Sequence, residues 1–348
     1  MANCSDDAPK TNVFYDDISD DALIIAFITI ACILATVCCI LYVEEIFFIR
    51  KQYNKHDTRG RKSIILLGLY PVVCVMSLIA ILVPTSAILL DLVASGYLSI
   101  CIYVFITMTI ECFGGSDKMV EKLSNDKVKL NTPPCCCCLC CILKPITLTK
   151  ESLCIMELLS MQVAFVRPAA LFVAAILWTD GQYIKHIDAT QPYVYITVIS
   201  GISMLVSMYG MIVIFRASKL HLAHYHLAFK FIPLQLIIVL VNVQSGVFST
   251  LADRGIPACR GIRGSRVRAA GINNGLLVVE AFLCCLLARK GYRTKTPNKD
   301  EILEHLPDVN TQNNRHSSEV TSSVVVHIGN TNRENNEYGA HDNIVATS

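Results

Sequence analysis

Residues 22–43 read ALIIAFITIACILATVCCILYV, a run without a single charge, preceded by Asp16, Asp17, Asp20 and Asp21. A chain crossing a hydrocarbon core of about 30 Å meets no water, so it must satisfy its own amides as helix. At 1.5 Å rise per residue that takes roughly 20 apolar residues. The run is long enough. It is also too far from the start, too long and too acid-flanked for a cleaved signal peptide, and no cleavable targeting segment is expected.

Working outward, six further stretches have the same character, near residues 63–84, 86–110, 153–177, 193–215, 231–251 and 269–288. The expected fold class is an all-α integral membrane protein with seven transmembrane helices over residues 22–288. Composition agrees: 53% of the 348 residues are apolar and 17% charged, against about a quarter charged in a soluble domain. Thirty Lys and Arg against 28 Asp and Glu is too even a balance for a nucleic-acid surface, so no nucleic acid partner is expected; membrane lipid is.

Orientation follows from Lys and Arg, which accumulate in cytoplasmic loops. With the N-terminus outside, the inner segments hold 20 of them and the outer segments 7. The expected topology is an extracellular N-terminus (1–21), a cytosolic Cys-rich loop (111–152) and a cytosolic C-terminus. One outer loop runs against the trend, carrying Arg254, Arg260, Arg263, Arg266 and Arg268. The plain reading is a solvated loop; the functional alternative is a basic mouth that attracts organic anions. Asn3-Cys4-Ser5 is a glycosylation sequon on the same side. The tail, 289–348, has nine asparagines in 60 residues and no sustained period, and reads as disordered.

Seventeen cysteines do not make a disulfide framework here, because most lie in the spans or on the cytosolic side. Six form the block PPCCCCLCC: Cys135, Cys136, Cys137, Cys138, Cys140 and Cys141. Consecutive thiols diverge rather than converge on a tetrahedral metal, so no metal is assigned. Acylation fits the block better, since Lys118, Lys122, Lys127, Lys129 and Lys144 hold it near an anionic leaflet. Each buried acyl methylene contributes about 0.8 kcal/mol, enough for several chains to pin the loop. His221, His224 and His226 read as interfacial histidines.

An ionisable group at mid-membrane costs at least about 2.5–3.5 kcal/mol, so it faces the bundle or a watery path. Arg167 lies 14 residues into the fourth run, and Glu280 lies near mid-depth in the seventh; Glu280 is the obvious acidic partner for Arg167. Gln162, Gln235, Asn242, Gln244 and Asn273 add polar positions. Gln235 and Asn242 share a face, while Gln244 turns toward another neighbour. Amides alone make ordinary interhelical bonds of about 0.6 kcal/mol each. A full cation with a full anion points to a substrate path. Asp91, near a helix end, reaches the interface and receives no role. No phosphate-binding loop, zinc helix or nucleophile elbow occurs, so the chain reads as no enzyme, with no cofactor and no ATP drive.

Five segments resemble the organic solute transporter alpha subunit family: ECFGG (111–115), PPCCCCLCC (133–141), QVAFVR (162–167), HLAHYHLAFKFIPLQ (221–235) and INNGLLVVEAF (272–282). The resemblance implies a plasma-membrane protein, basolateral in epithelia, that passes amphipathic organic anions such as bile acids or steroid conjugates by facilitated diffusion. It implies a single-span beta subunit as partner, and a homo-oligomer is the other assembly considered. Two rivals share the helix count: a seven-helix receptor and a non-transporting regulator of membrane trafficking or shape. The receptor lacks D-R-Y, where ECFGG stands, and N-P-x-x-Y, where NNGLLVVEAF stands.

Overall fold

The computed structural model describes residues 8–53, 57–123, 127–128, 146–147, 149–181 and 190–293. The cysteine block, Asn3 and the tail beyond residue 293 lie outside the described residues, as does the side chain of His224.

Among the described residues, seven helices are long and apolar enough to cross a membrane. Span 1 is Ala22–Gln52, span 2 Thr58–Leu82, span 3 Pro84–Phe113, span 4 Lys150–Thr179, span 5 Pro192–Ser218, span 6 Leu227–Asp253 and span 7 Ser265–Arg293. The fold is all-helical apart from a two-residue antiparallel ladder, Lys127–Val128 with Ile146–Thr147. Two short helices were not anticipated. Thr11–Ile18 precedes span 1 and buries Phe14 and Ile18; Ser116–Leu123 follows span 3 and buries Met119 and Leu123.

Helices outrun their apolar runs because charged ends find partners. Span 7 continues to Arg293, so residues 289–293, expected in the tail, are helix. Arg289 Nε lies 2.8 Å from Glu45 Oε1 of span 1, and its Nη2 2.7 Å from Glu44 Oε2. Arg293 repeats the grip, with Nε 2.6 Å from Glu45 and Nη2 2.6 Å from Glu44. This clamp closes the face of the bundle that carries the end of span 7, the C-terminal face.

The ends are set by local chemistry. Asp57 caps span 2 by accepting the Arg59 N–H at 2.9 Å, satisfying one of the donors a helix start leaves open. Thr149 and Ser152 form a reciprocal capping box at the start of span 4. Gly114, at φ 89°, closes span 3 in a left-handed conformation that a side chain would resist.

Span 2 packs against spans 1, 3 and 7 and is the most enclosed helix. The core runs through Leu69, Cys74, Cys101, Phe105, Met211, Ile237 and Val278. Phe231 stacks on Phe215 with ring centroids 3.8 Å apart and tilts toward Phe105 at 5.6 Å. The described thiols of Cys38, Cys74 and Cys285 are buried and free, packing as small apolar groups. Span 1 and span 4 are peripheral and leave Ile33, Ile40, Phe47, Phe165 and Phe172 exposed, which suits lipid rather than water. Span 1 docks through Phe27, whose ring covers Gly275 of span 7 so closely that a Cβ there would sit 1.8 Å from it.

Candidate solute site in the bundle core

Spans 4 and 6 are both irregular where their polar residues sit. Span 4 breaks at Gln162, separating Lys150–Met161 from Val163–Thr179, and Pro168 just beyond cannot donate to the Ala164 carbonyl. Gln162 locks the break to span 5: its Nε2 donates to the Ser203 carbonyl at 2.5 Å, and Ser203 Oγ donates back to Oε1 at 2.7 Å. Span 6 carries Pro233 and then a π-helical turn, Leu240–Gln244, with i→i+5 bonding. Such turns shift the register of every residue after them and recur at functional sites.

That turn aims two amides in different directions. Arg167 Nη1 donates to Asn242 Oδ1 at 2.5 Å, and Asn242 Nδ2 donates to the Ile238 carbonyl at 2.6 Å, which holds the amide oxygen toward the cation. Gln244, with its amide nitrogen turned to span 7, donates to Glu280 Oε2 at 2.7 Å and Oε1 at 3.2 Å. The expected ion pair between Arg167 and Glu280 is therefore not formed: among the described residues no salt bridge joins them. The physical reason is the π turn, which stands between the two charges and offers each a neutral partner. Among the described residues no carboxylate forms an ion pair with Arg167.

Asp91 is the residue that sequence reasoning passed over. A signal existed, since Asp91, Ser95 and Ser99 recur at i, i+4 and i+8 and so stripe one face of span 3. Ser99 donates to the Val163 carbonyl at 3.3 Å, tying that stripe to the break in span 4. Asp91 and Ser95 line a small cavity of about 50 Å³, together with Ser77, Ser245, Asn273 and Asn274. Four helices, spans 2, 3, 6 and 7, contribute to its wall.

Three polar atoms here are buried without a hydrogen bond to the protein: Arg167 Nε, Asn273 Oδ1 and Gln235 Oε1. A guanidinium has five N–H donors, and leaving a buried polar group unpaired costs about 1–3 kcal/mol. The core thus retains donor capacity on Arg167, and the π turn that holds this arginine also borders the polar cavity through Val241 and Ser245. The structure brings together Arg167 with Asn242, Gln244 with Glu280, and Asn273 with Asp91. No hydrogen bond among the described residues ties Gln235 to any of the three.

Fold and core together define a multi-pass membrane protein with a polar interior. The family described as Organic solute transporter Ostalpha matches residues 27–297, and the chain belongs to that family. It is similar to "Organic solute transporter subunit alpha" of Leucoraja erinaceus, 31% identical over 225 residues, 64% of each chain. The protein of that name in Danio rerio is 27% identical over 79% of this chain and 85% of its own. An "Organic solute transporter alpha-like protein" of Drosophila melanogaster is 27% identical over 82% of this chain and 84% of its own. The match to the Leucoraja protein spans less than two thirds of that relative. No solved structure matches the chain significantly.

Proposed function

We propose that the chain is the alpha-type subunit of a facilitative carrier for amphipathic organic anions, and that Arg167 is the group that holds the anion at mid-membrane. The observation that carries this reading is a buried guanidinium bonded to an amide of the π turn, with its Nε donor unpaired, where Val241 of that turn and Ser245 after it border a polar cavity. A charge kept only to glue helices is best served by a carboxylate at hydrogen-bond distance, whereas one that must release a solute is better held by a weaker, neutral partner. The solute's sulfate, sulfonate or carboxylate would replace part of the hydration that Arg167 lost on burial, while its apolar body lies against helix faces. Gln162 and Ser203 brace the broken helix that presents the arginine; Asn242 and Gln244 set the π turn. Asn273 lines the cavity, and Glu280 is held by Gln244 of the same turn.

Membership of a family of transporter alpha subunits supports transport. The absence of an ATP-binding motif supports movement down the solute's own gradient. The 20-to-7 distribution of Lys and Arg supports an outward N-terminal face. So does Cys259, which is disulfide-bonded in the loop between spans 6 and 7, as expected of an oxidising compartment. A plasma-membrane setting, a single-span beta partner, acylation at the cysteine block and a glycan on Asn3 complete the reading.

The test is uptake of labelled sterol sulfate into cells or proteoliposomes. Wild type should carry it without sodium or ATP, and Arg167→Ala, matched for surface level, should lose at least about tenfold, the worth of one charge-assisted hydrogen bond. Uptake at the normal rate by that variant removes the anchor.

A further inference from the structure

The N-terminal face holds a second, larger chamber of about 510 Å³. That falls within the roughly 300–1,000 Å³ of small-molecule sites. Leu23, Phe27 and Ile28 of span 1, Ile81 of span 2, Trp178 of span 4 and Val267 of span 7 make its walls apolar and aromatic. Its polar side is built from Arg263, Arg266 and Arg268.

The charges of those arginines can be accounted for one by one. Arg263, almost fully buried, places Nε 2.7 Å from Asp17 Oδ2 and Nη2 3.8 Å from Asp21. Arg260 reaches the same Asp21 carboxylate at 3.3 Å, so two arginines and two aspartates cancel. Arg266 Nη2 lies 2.7 Å from Asp253 Oδ1. Arg268 differs: its guanidinium donates to the Ala258 carbonyl, and among the described residues no carboxylate lies within ion-pair range. Among the described residues, one positive charge is thus left uncancelled beside an apolar chamber. Neither a solvated loop nor a basic mouth as a whole covers this, because Arg260, Arg263 and Arg266 are locked by ion pairs and, of the arginines that line the chamber, Arg268 alone has no carboxylate partner among the described residues.

We infer that this chamber is a docking site for an amphipathic monoanion, its apolar body against Phe27, Ile81 and Trp178 and its anionic group on Arg268. The chamber and the small polar cavity share Ala80 and Asn274 in their walls, so the docked molecule sits next to the cavity that holds Asp91 and Asn273. The inference extends the carrier reading, but its test needs no flux.

The experiment is equilibrium binding of labelled sterol sulfate to the purified full chain in phosphatidylcholine nanodiscs, with two variants. Gly271 lines the chamber, and a Cβ built on it meets no atom within 4 Å, so the side chain of Gly271→Trp can leave the helix there and occupy the chamber. It should weaken binding at least about tenfold while the melting temperature holds, since leaving glycine favours helix. Arg268→Gln should weaken sterol sulfate roughly tenfold and leave the uncharged sterol alcohol unaffected. Wild-type binding by both variants overturns the site. A third arm with phosphatidylserine in the disc separates solute from lipid: retained sterol sulfate binding supports the solute, whereas its displacement assigns the chamber to a lipid headgroup and overturns the proposal. Arg167→Ala should keep this binding while losing uptake. A wild-type protein that binds but does not carry would sink the carrier reading and leave the docking site standing.

Discussion

At the two faces of the bundle arginines meet carboxylates; in its middle an arginine and a glutamate meet amides. Arg289 and Arg293 grip Glu44 and Glu45 on one face, and Arg260 and Arg263 grip Asp17 and Asp21 on the other. Between them Arg167 rests on Asn242 and Glu280 on Gln244. Both clamps join span 1 or the segment before it to span 7 or the loop leading into it. Closed pairs hold a peripheral helix that has little burial of its own, whereas open charges at mid-depth are expensive and do no comparable holding. The contrast separates groups that keep the bundle together from groups that keep it ready for a solute.

Three variants sharpen that contrast. The largest effect on stability is expected from Glu45→Ala, because Glu45 is the buried half of the clamp, 1% exposed, and its loss leaves Arg289 and Arg293 with only the exposed Glu44. Breaking a buried pair costs about 3–5 kcal/mol, and thermal unfolding in detergent should register it as a clear fall in melting temperature. Next comes Gly275→Ala, which forces the Phe27 ring off span 7; overpacking of this kind costs about 1–3 kcal/mol, again read in the melting temperature. The smallest is Glu280→Gln. It keeps an acceptor for Gln244 and removes only the charge, so uptake should change by less than about twofold; a collapse of uptake would move the functional charge from Arg167 to Glu280.

Much of the architecture was legible because a membrane crossing is written locally. Each of the seven apolar runs satisfies its backbone within itself, so run length alone announces a helix. Where helices end was less legible: Arg289 and Arg293 look like the start of a polar tail until Glu44 and Glu45, some 245 residues earlier, are seen beside them. Partner choice in the core was the weakest point. Arg167 and Glu280 are the obvious opposite charges, yet the π turn in span 6 intervenes, and nothing in LVNVQ announces a π turn. Asp91 was set aside as interfacial because its distance from a helix end was weighed without its serine stripe. The arginine loop was half legible: its charge was evident, but the carboxylates that cancel most of it come from residues 17, 21 and 253.

The central claim is that the mid-membrane cation works because its hydrogen-bond partner is an uncharged amide and not a carboxylate. Asn242→Asp tests it most directly, being nearly isosteric and giving Arg167 the countercharge that the arginines at the faces already have. Sterol sulfate uptake by this variant should fall at least about tenfold, to the level of Arg167→Ala, with a melting temperature no lower than wild type. Uptake at the wild-type rate, with the carboxylate in place, would contradict the account.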